Sequence, residues 1–244
     1  MTRKGEWLKS IRNEELVKTK QFFPKNKTKL LEIGGKDGYL ANILEKWGFH
    51  VTSIDLMPTS EFFDVKKMNG EILEFDSNSF EIIFSSHVIA HVENKEVLFS
   101  EIKRVLKHEG IIIHIVPSRF WVILTSFWHY ILLPKMLFFK IPNLENKTSK
   151  KNEIIKSKKS KLINQIFLHP LGTNKSFLHE IVNFSKNNWT KLFLKNGFEI
   201  ISIINGPLGY SGYSVFNHKG MKIRKKVSSI FSSSYVFVMK KIED

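Results

Sequence analysis

The sequence predicts an α/β protein: an open, mainly parallel sheet flanked by helices and closed near its C-terminus by an antiparallel strand. Three observations predict it. Between residues 29 and 116, short apolar runs alternate with stretches of helical spacing over short connections, the pattern of right-handed crossover units. A glycine turn separates the first apolar run from its helix. A β-branched run, Ile111 to Val116, is long enough for a strand buried on both faces.

In chain order, Trp7, Leu8, Ile11, Leu16, Val17 and Phe22 recur among charges with roughly helical spacing and stop at Phe23-Pro24, which predicts an N-terminal helix over residues 6–23. Lys29 to Ile33 is the first strand, stopped by Gly34-Gly35. The helix from Tyr39 to Trp47 follows and ends before Gly48. Val51 to Asp55 is the second strand and carries a carboxylate at its C-terminal end. Phe80 to Ser85 is another strand. Residues 94–107 form an amphipathic helix through Val97, Leu98, Ile102, Val105 and Leu106, before the Ile111–Val116 strand. Near the C-terminus, a helix over 189–195 is closed by Asn196-Gly197, and strands are expected at 198–204 and 234–240. In such a sheet a ligand binds at the C-terminal ends of the strands.

Composition narrows the function. The chain has 244 residues, 42% of them hydrophobic, including 21 Phe, which supports a sizeable core and excludes disorder throughout. It has no cysteine, so disulfides, thiolate metal sites and cysteine nucleophiles are excluded. No apolar run follows the charged residues at the N-terminus, so a cytoplasmic protein is expected. The net charge of +15 is unevenly spread. Residues 1–28 carry 8 basic and 3 acidic side chains, residues 29–116 carry 9 and 14, and residues 117–244 carry 21 and 6. Two lysine-rich clusters, 147–161 and 219–226, supply most of the excess. They read either as solvated surface or as a docking surface for an anionic partner.

Residues 120–141 hold 16 apolar side chains of 22, close to the length of a membrane span, but His129, Pro134, Lys135 and Lys140 interrupt them. Trp121, Leu124, Trp128 and Leu132 would line one helical face. A lid or an in-plane membrane contact is therefore expected rather than a span. The division expected is an N-terminal helical extension (1–28), a core (29–118), an apolar and lysine-rich insertion (119–175) and a C-terminal completion of the sheet (176–244).

The chemistry concentrates at Glu32-Ile33-Gly34-Gly35-Lys36-Asp37-Gly38. Glycines there permit positive φ and let a ligand approach the backbone. Asp55 follows 21 residues after Gly34 at the end of the next strand, where a carboxylate can accept both hydroxyls of a ribose. This combination points to a nucleoside-containing cofactor. The glycine spacing is not that of the dinucleotide fingerprint, and a carboxylate precedes the turn.

Leu31 to Gly38, Ile54-Asp55, Asn69-Gly70 with Phe75 to Val92, and Glu101 to Gly110 together resemble successive motifs of the class I S-adenosylmethionine-dependent methyltransferases, in particular the broad small-molecule (type 11) group. The likeness runs over residues 29–118 and more loosely over 169–213. It implies a Rossmann-like, seven-stranded sheet and S-adenosylmethionine as cofactor. By the same resemblance Glu32, Gly34, Gly35, Lys36 and Gly38 would border the methionine part of the cofactor. Asp55 would hold the ribose, Leu56 would pack on adenine with Asn69 and Gly70 beside it, and Ser86 and His87 would lie near the sulfonium. Lys36 stands where a glycine is usual, Asn69 replaces a frequent Asp, and Ala90 a frequent Glu. The Lys36 ammonium is a candidate partner for the cofactor carboxylate.

Methyl transfer needs a base only where the acceptor must lose a proton, and histidine is suited to that near neutral pH. His91 and His169 are the candidates. No histidine spacing suggests a metal site. The function expected is methylation of a small-molecule or glycan acceptor, a lipid-linked one included, with an anionic membrane surface as a candidate partner. A nucleic-acid methyltransferase and a non-catalytic cofactor-binding member are the alternatives. Nucleic acid is disfavoured because basic and aromatic residues are not interleaved as a base-stacking surface requires, and nothing signals an oligomeric state.

Overall fold

A computed structural model describes residues 3–25, 28–139, 173, 176–212 and 215–242. Seven strands form one sheet: β1 (Lys29–Ile33), β2 (His50–Asp55), β3 (Val65–Lys67), β4 (Phe80–Ser86), β5 (Leu106–Pro117), β6 (Phe198–Asn205) and β7 (Ser234–Lys241). Their spatial order is β3-β2-β1-β4-β5-β7-β6. All neighbours are parallel except β7, which runs antiparallel to both β5 and β6. The helices are α1 (Arg3–Thr19), α2 (Tyr39–Lys46), α3 (Lys95–Val105), α4 (Arg119–Phe139), α5 (Phe177–Asn183), α6 (Lys186–Lys195) and α7 (Met221–Val227).

Strand alternation sends successive side chains to opposite faces, and each face is roofed by its own helices. Leu30, Ile82, Phe84, Ile113 and Val236 pack against Leu16 of α1 and Leu40 and Leu44 of α2. Leu31, Ile83, Ile112 and Phe237 pack against Leu98, Phe99 and Ile102 of α3 and Trp189 and Phe193 of α6. The chain order of β1, β2 and β4 reverses beside β1, so a crevice opens beyond the ends of β1 and β4.

The structure bears out the expected sheet, with three additions. Strand β3 is three residues long, too short to show a period, and α5 and α7 have seven residues each. Strand β5 begins at Leu106, earlier than expected, because Leu106 already pairs with Phe80, ahead of an irregularity after which the ladder resumes at Ile82 and Ile111.

Helix α4 corrects the expected face of the apolar segment. Ile123, Phe127, Tyr130 and Ile131, spaced i, i+4, i+7 and i+8, are the exposed apolar side chains, whereas Trp121 and Trp128 turn partly inward. Trp121 packs against the core and Trp128 meets Phe216 edge-on at 5.0 Å. The lysine run 147–161 lies outside the described residues, as does His169.

Candidate active site

The glycine turn is held in shape by its own surroundings. Gly34 has φ +84°, and a Cβ there would meet the Val88 side chain at 2.0 Å; a Cβ on Gly35 would meet Ser53 Oγ at 1.9 Å and Glu32 Oε2 at 2.7 Å. Beneath the turn, Ser53 Oγ donates to the buried Glu32 carboxyl at 2.6 Å. Burial, reinforced by the nearby charges of Asp37 and Asp55 and only partly offset by the Ser53 hydrogen bond, pushes this carboxyl up to about 7. Lys36 accepts the left-handed conformation at φ +48°. Its amide donates to Asp55 Oδ2 at 3.1 Å and its ammonium to the Met57 carbonyl at 2.7 Å, so the side chain braces the loop after β2. The second Asp55 oxygen accepts from the Met57 amide at 2.8 Å.

A cleft of about 660 Å³ opens over this turn. Gly34, Asp55, Leu56, Asn69, Gly70, Ser86 and His87 line it, and all seven are residues the sequence nominates. Leu56 is exposed, and Asn69 Oδ1 accepts from the Glu71 amide at 3.0 Å. Ser86 Oγ is buried with no hydrogen-bond partner among the described residues, an atom that a polar ligand in the cleft would satisfy. The closely approachable turn, the carboxylate at the end of β2 and the orphaned hydroxyl fit a nucleoside-bearing cofactor. Gly35, Lys36, Gly38 and Glu32 shape the turn without lining this cleft.

A second cavity, of about 250 Å³, adjoins the first. Its walls are mostly apolar: Trp7, Leu8 and Ile11 of α1, Trp121 of α4, and Phe184. His87 and His91 line both cavities, so the two meet there. His91 is exposed at this junction, and partial burial together with the Lys95 ammonium lowers its pKa.

Behind His87 lies a charged network that sequence reasoning missed. The wholly buried Glu15 accepts from Arg12 Nη1 at 2.6 Å, Ser234 Oγ at 2.5 Å, Tyr210 OH at 3.1 Å and His87 Nε2 at 3.2 Å. Arg12 Nη1 also donates to Tyr210 OH at 3.0 Å. Burial alone would raise the Glu15 carboxyl. The adjoining His87 and Arg12, with the Ser234 hydroxyl, outweigh burial and hold it ionised, well below the carboxylate range. For His87 burial and the Arg12 charge prevail over Glu15, so the ring titrates below its ordinary value and is neutral near pH 7. His87 also adopts φ +60°, uncommon for a side-chain-bearing residue, and its amide is tied to the Ile115 carbonyl at 2.7 Å. His114, by contrast, is a core residue: its Nδ1 meets Ser85 Oγ at 2.8 Å and burial pushes it down to about 3.

Comparison with known proteins agrees with this geometry. A family model described as a methyltransferase domain matches residues 8–203. Over 95 residues the chain is 30% identical to phosphoethanolamine N-methyltransferase 2 of Caenorhabditis elegans; that stretch is 33% of this chain but only 22% of the relative's length. Among solved structures, one from Listeria monocytogenes described as an S-adenosylmethionine-dependent methyltransferase superposes with a TM-score of 0.58 at 14% identity, covering 96% of this chain and 100% of the other. Geranyl diphosphate C-methyltransferase from Streptomyces coelicolor, solved with S-adenosyl-L-homocysteine, superposes at 0.54 with 13% identity, covering 96% and 81%. The fold is that of the class I methyltransferases. The chain belongs to the methyltransferase-domain family.

Proposed function

We propose that the enzyme methylates a hydroxyl or amine of a small, largely apolar acceptor held in the 250 Å³ cavity, with His87 as the base. The observation that carries this reading is that His87 lines both cavities while Glu15 holds it from behind. The cavity volume suits a small molecule. Its aromatic and aliphatic walls favour an apolar acceptor over a glycan, which would need many more hydrogen-bonding partners.

In the cofactor cleft, Asp55 would accept the ribose hydroxyls, Ser86 and Asn69 would offer polar contacts and Leu56 would cover the base. S-adenosylmethionine supplies a methyl group on an activated sulfonium, so transfer is an in-line displacement in which the carbon–sulfur bond breaks as the carbon–acceptor bond forms. The protein contributes position, dryness and a place for the proton. An ionised carboxylate only accepts hydrogen bonds, so Glu15 fixes the His87 proton on Nε2 and leaves the Nδ1 lone pair as the proton acceptor. Trp7, Trp121 and Phe184 exclude water from the acceptor side. His91 stands at the same junction without such support and serves to position the acceptor.

The test is mass spectrometry of membrane and cytosolic extracts incubated with methyl-labelled S-adenosylmethionine and the protein. A labelled small product that disappears with His87→Ala is expected. Label appearing in nucleic acid or polysaccharide instead would overturn the acceptor assignment.

A further inference from the structure

Helix α4 is amphipathic in the wrong sense for a helix on a water-exposed surface. Its polar side chains Thr125, Ser126 and His129 are buried beside Val122, at spacing i, i+3, i+4 and i+7 from that residue. Ser126 Oγ donates to the Val122 carbonyl at 2.7 Å, and Thr125 Oγ1 accepts from the Gly212 amide at 2.9 Å. The outward stripe is Ile123, Phe127, Tyr130 and Ile131, each between 42% and 55% exposed. Ordinary surface helices bury the apolar stripe and expose the polar one.

The stripe is continuous with a second apolar surface. Phe231 meets Phe120 edge-on at 5.1 Å and Phe216 meets Trp128 at 5.0 Å, so both ends of the segment that carries α7 rest against α4. From that segment Phe216, Ile223, Ile230 and Phe231 are all exposed. An apolar patch of this kind marks an interaction surface. Its charge selects the partner. Lys219, Lys222 and Lys226 stand exposed among these apolar side chains, and α4 and α7 contain no acidic residue. Lys225 is paired with Glu14 at 2.8 Å and Arg224 is turned inward to the Gly209 and Asn217 carbonyls. No helix among the described residues is long and apolar enough to cross a membrane.

We infer that the α4–α7 face docks in the plane of an anionic lipid bilayer: Phe127, Ile131 and Ile230 enter the interface, and Lys219, Lys222 and Lys226 meet the headgroups. Docking carries a consequence for the site. Trp121 of the same helix lines the cavity proposed for the acceptor, so α4 forms a wall of that cavity and docking would bring the cavity close to the lipid. The docking surface itself stands independently of which acceptor is used.

The experiment is flotation of the full chain with phosphatidylcholine vesicles, with and without phosphatidylglycerol, alongside calorimetric titration with S-adenosylmethionine. Binding to the mixed vesicles is expected, falling as salt is raised. The double variant Phe127→Ser, Ile131→Ser should bind them about tenfold more weakly through lost apolar burial. Lys222→Glu with Lys226→Glu should weaken binding by about tenfold or more. Cofactor affinity should be unchanged in both variants, because these side chains line neither cavity. Failure to float, equal flotation with pure phosphatidylcholine, or undiminished binding by the Phe127/Ile131 variant would overturn the inference. So would a stable dimer, dissociated by that variant, in a protein that ignores vesicles, since the face would then belong to a second copy.

Discussion

The two sides of the active site are built by opposite means. Around the 660 Å³ cleft proposed for the cofactor, position is set by backbone: a turn whose glycines are required by Val88, Ser53 and Glu32, and loops strung from Asp55 to the amides of Lys36 and Met57. All its parts come from one stretch, residues 29–118. Around the 250 Å³ cavity proposed for the acceptor, position is set by buried and half-buried side chains drawn from four places, with Arg12 and Glu15 from α1, His87 after β4, Tyr210 from the loop after β6 and Ser234 from β7. A backbone-built site tolerates side-chain change; a buried charge network does not, because each charge depends on its partner. The cofactor half is therefore expected to be robust and the acceptor half brittle.

Breaking the network should show this most strongly. Glu15→Ala leaves the half-buried Arg12 without its carboxylate partner, held only by Tyr210, and denaturant unfolding should register a loss of roughly 2–3 kcal/mol. Replacing both partners, Arg12→Met with Glu15→Leu, should cost less than Glu15→Ala alone; an equal or larger loss would mean that the ion pair is not the source of the effect.

On the cofactor side the corresponding buried charge is Glu32. Its carboxyl is pushed up from 4.5 to about 7 in the folded protein, so between those values the native state holds a proton that the unfolded chain has released. Stability from this group is fully present below pH 4.5 and is lost as pH rises through 7, by roughly 3 kcal/mol. Glu32→Gln should flatten that slope in pH-dependent unfolding curves; an unchanged slope would contradict the assignment.

His87→Ala should lower kcat by about a hundredfold or more, the usual worth of a positioned base. In the wild type the acid limb of the rate should fall below pH 6.5, because burial and Arg12 keep the ring neutral beneath its ordinary value. An acid limb above pH 6.5 would remove His87 from that role. The smallest effect is expected at Lys36→Gly. Relief of the left-handed conformation, worth about 1 kcal/mol, is offset by loss of the Met57 hydrogen bond and by glycine's added freedom when unfolded, so stability should move by less than about 1 kcal/mol. A tenfold loss of cofactor affinity in this variant would show instead that the ammonium reaches the cofactor.

The same contrast decides what was legible in the sequence. The cofactor side is local: strand, glycine turn, helix and an acid one strand later occupy fixed offsets, so Gly34, Asp55, Asn69 and Ser86 could be nominated from spacing and resemblance, and the cleft contains them. The acceptor side is nonlocal. Arg12 and Glu15 look like ordinary charges on an amphipathic helix, and nothing in their spacing shows that Glu15 is turned inward toward Tyr210, 195 positions away. One signal was present: Glu15 adjoins Leu16, which is on the buried stripe with Ile11. His87 and His91 are the same residue type four positions apart, so nothing local separates them; only the buried Glu15 carboxylate behind the His87 ring, supplied by a distant helix, does. The apolar segment of α4 was recognised, but its outward face was not, because helical spacing allows two apolar stripes and only packing chooses between them.

The most direct test of the account is calorimetric titration of the purified chain with S-adenosylmethionine, compared with Asp55→Ala. One binding site per chain is predicted, weakened by about tenfold or more when the carboxylate that would hold the ribose is removed, the usual worth of hydrogen bonds to a charged group. Absence of binding to the wild type, or equal affinity in the variant, would contradict the cofactor site on which the rest depends.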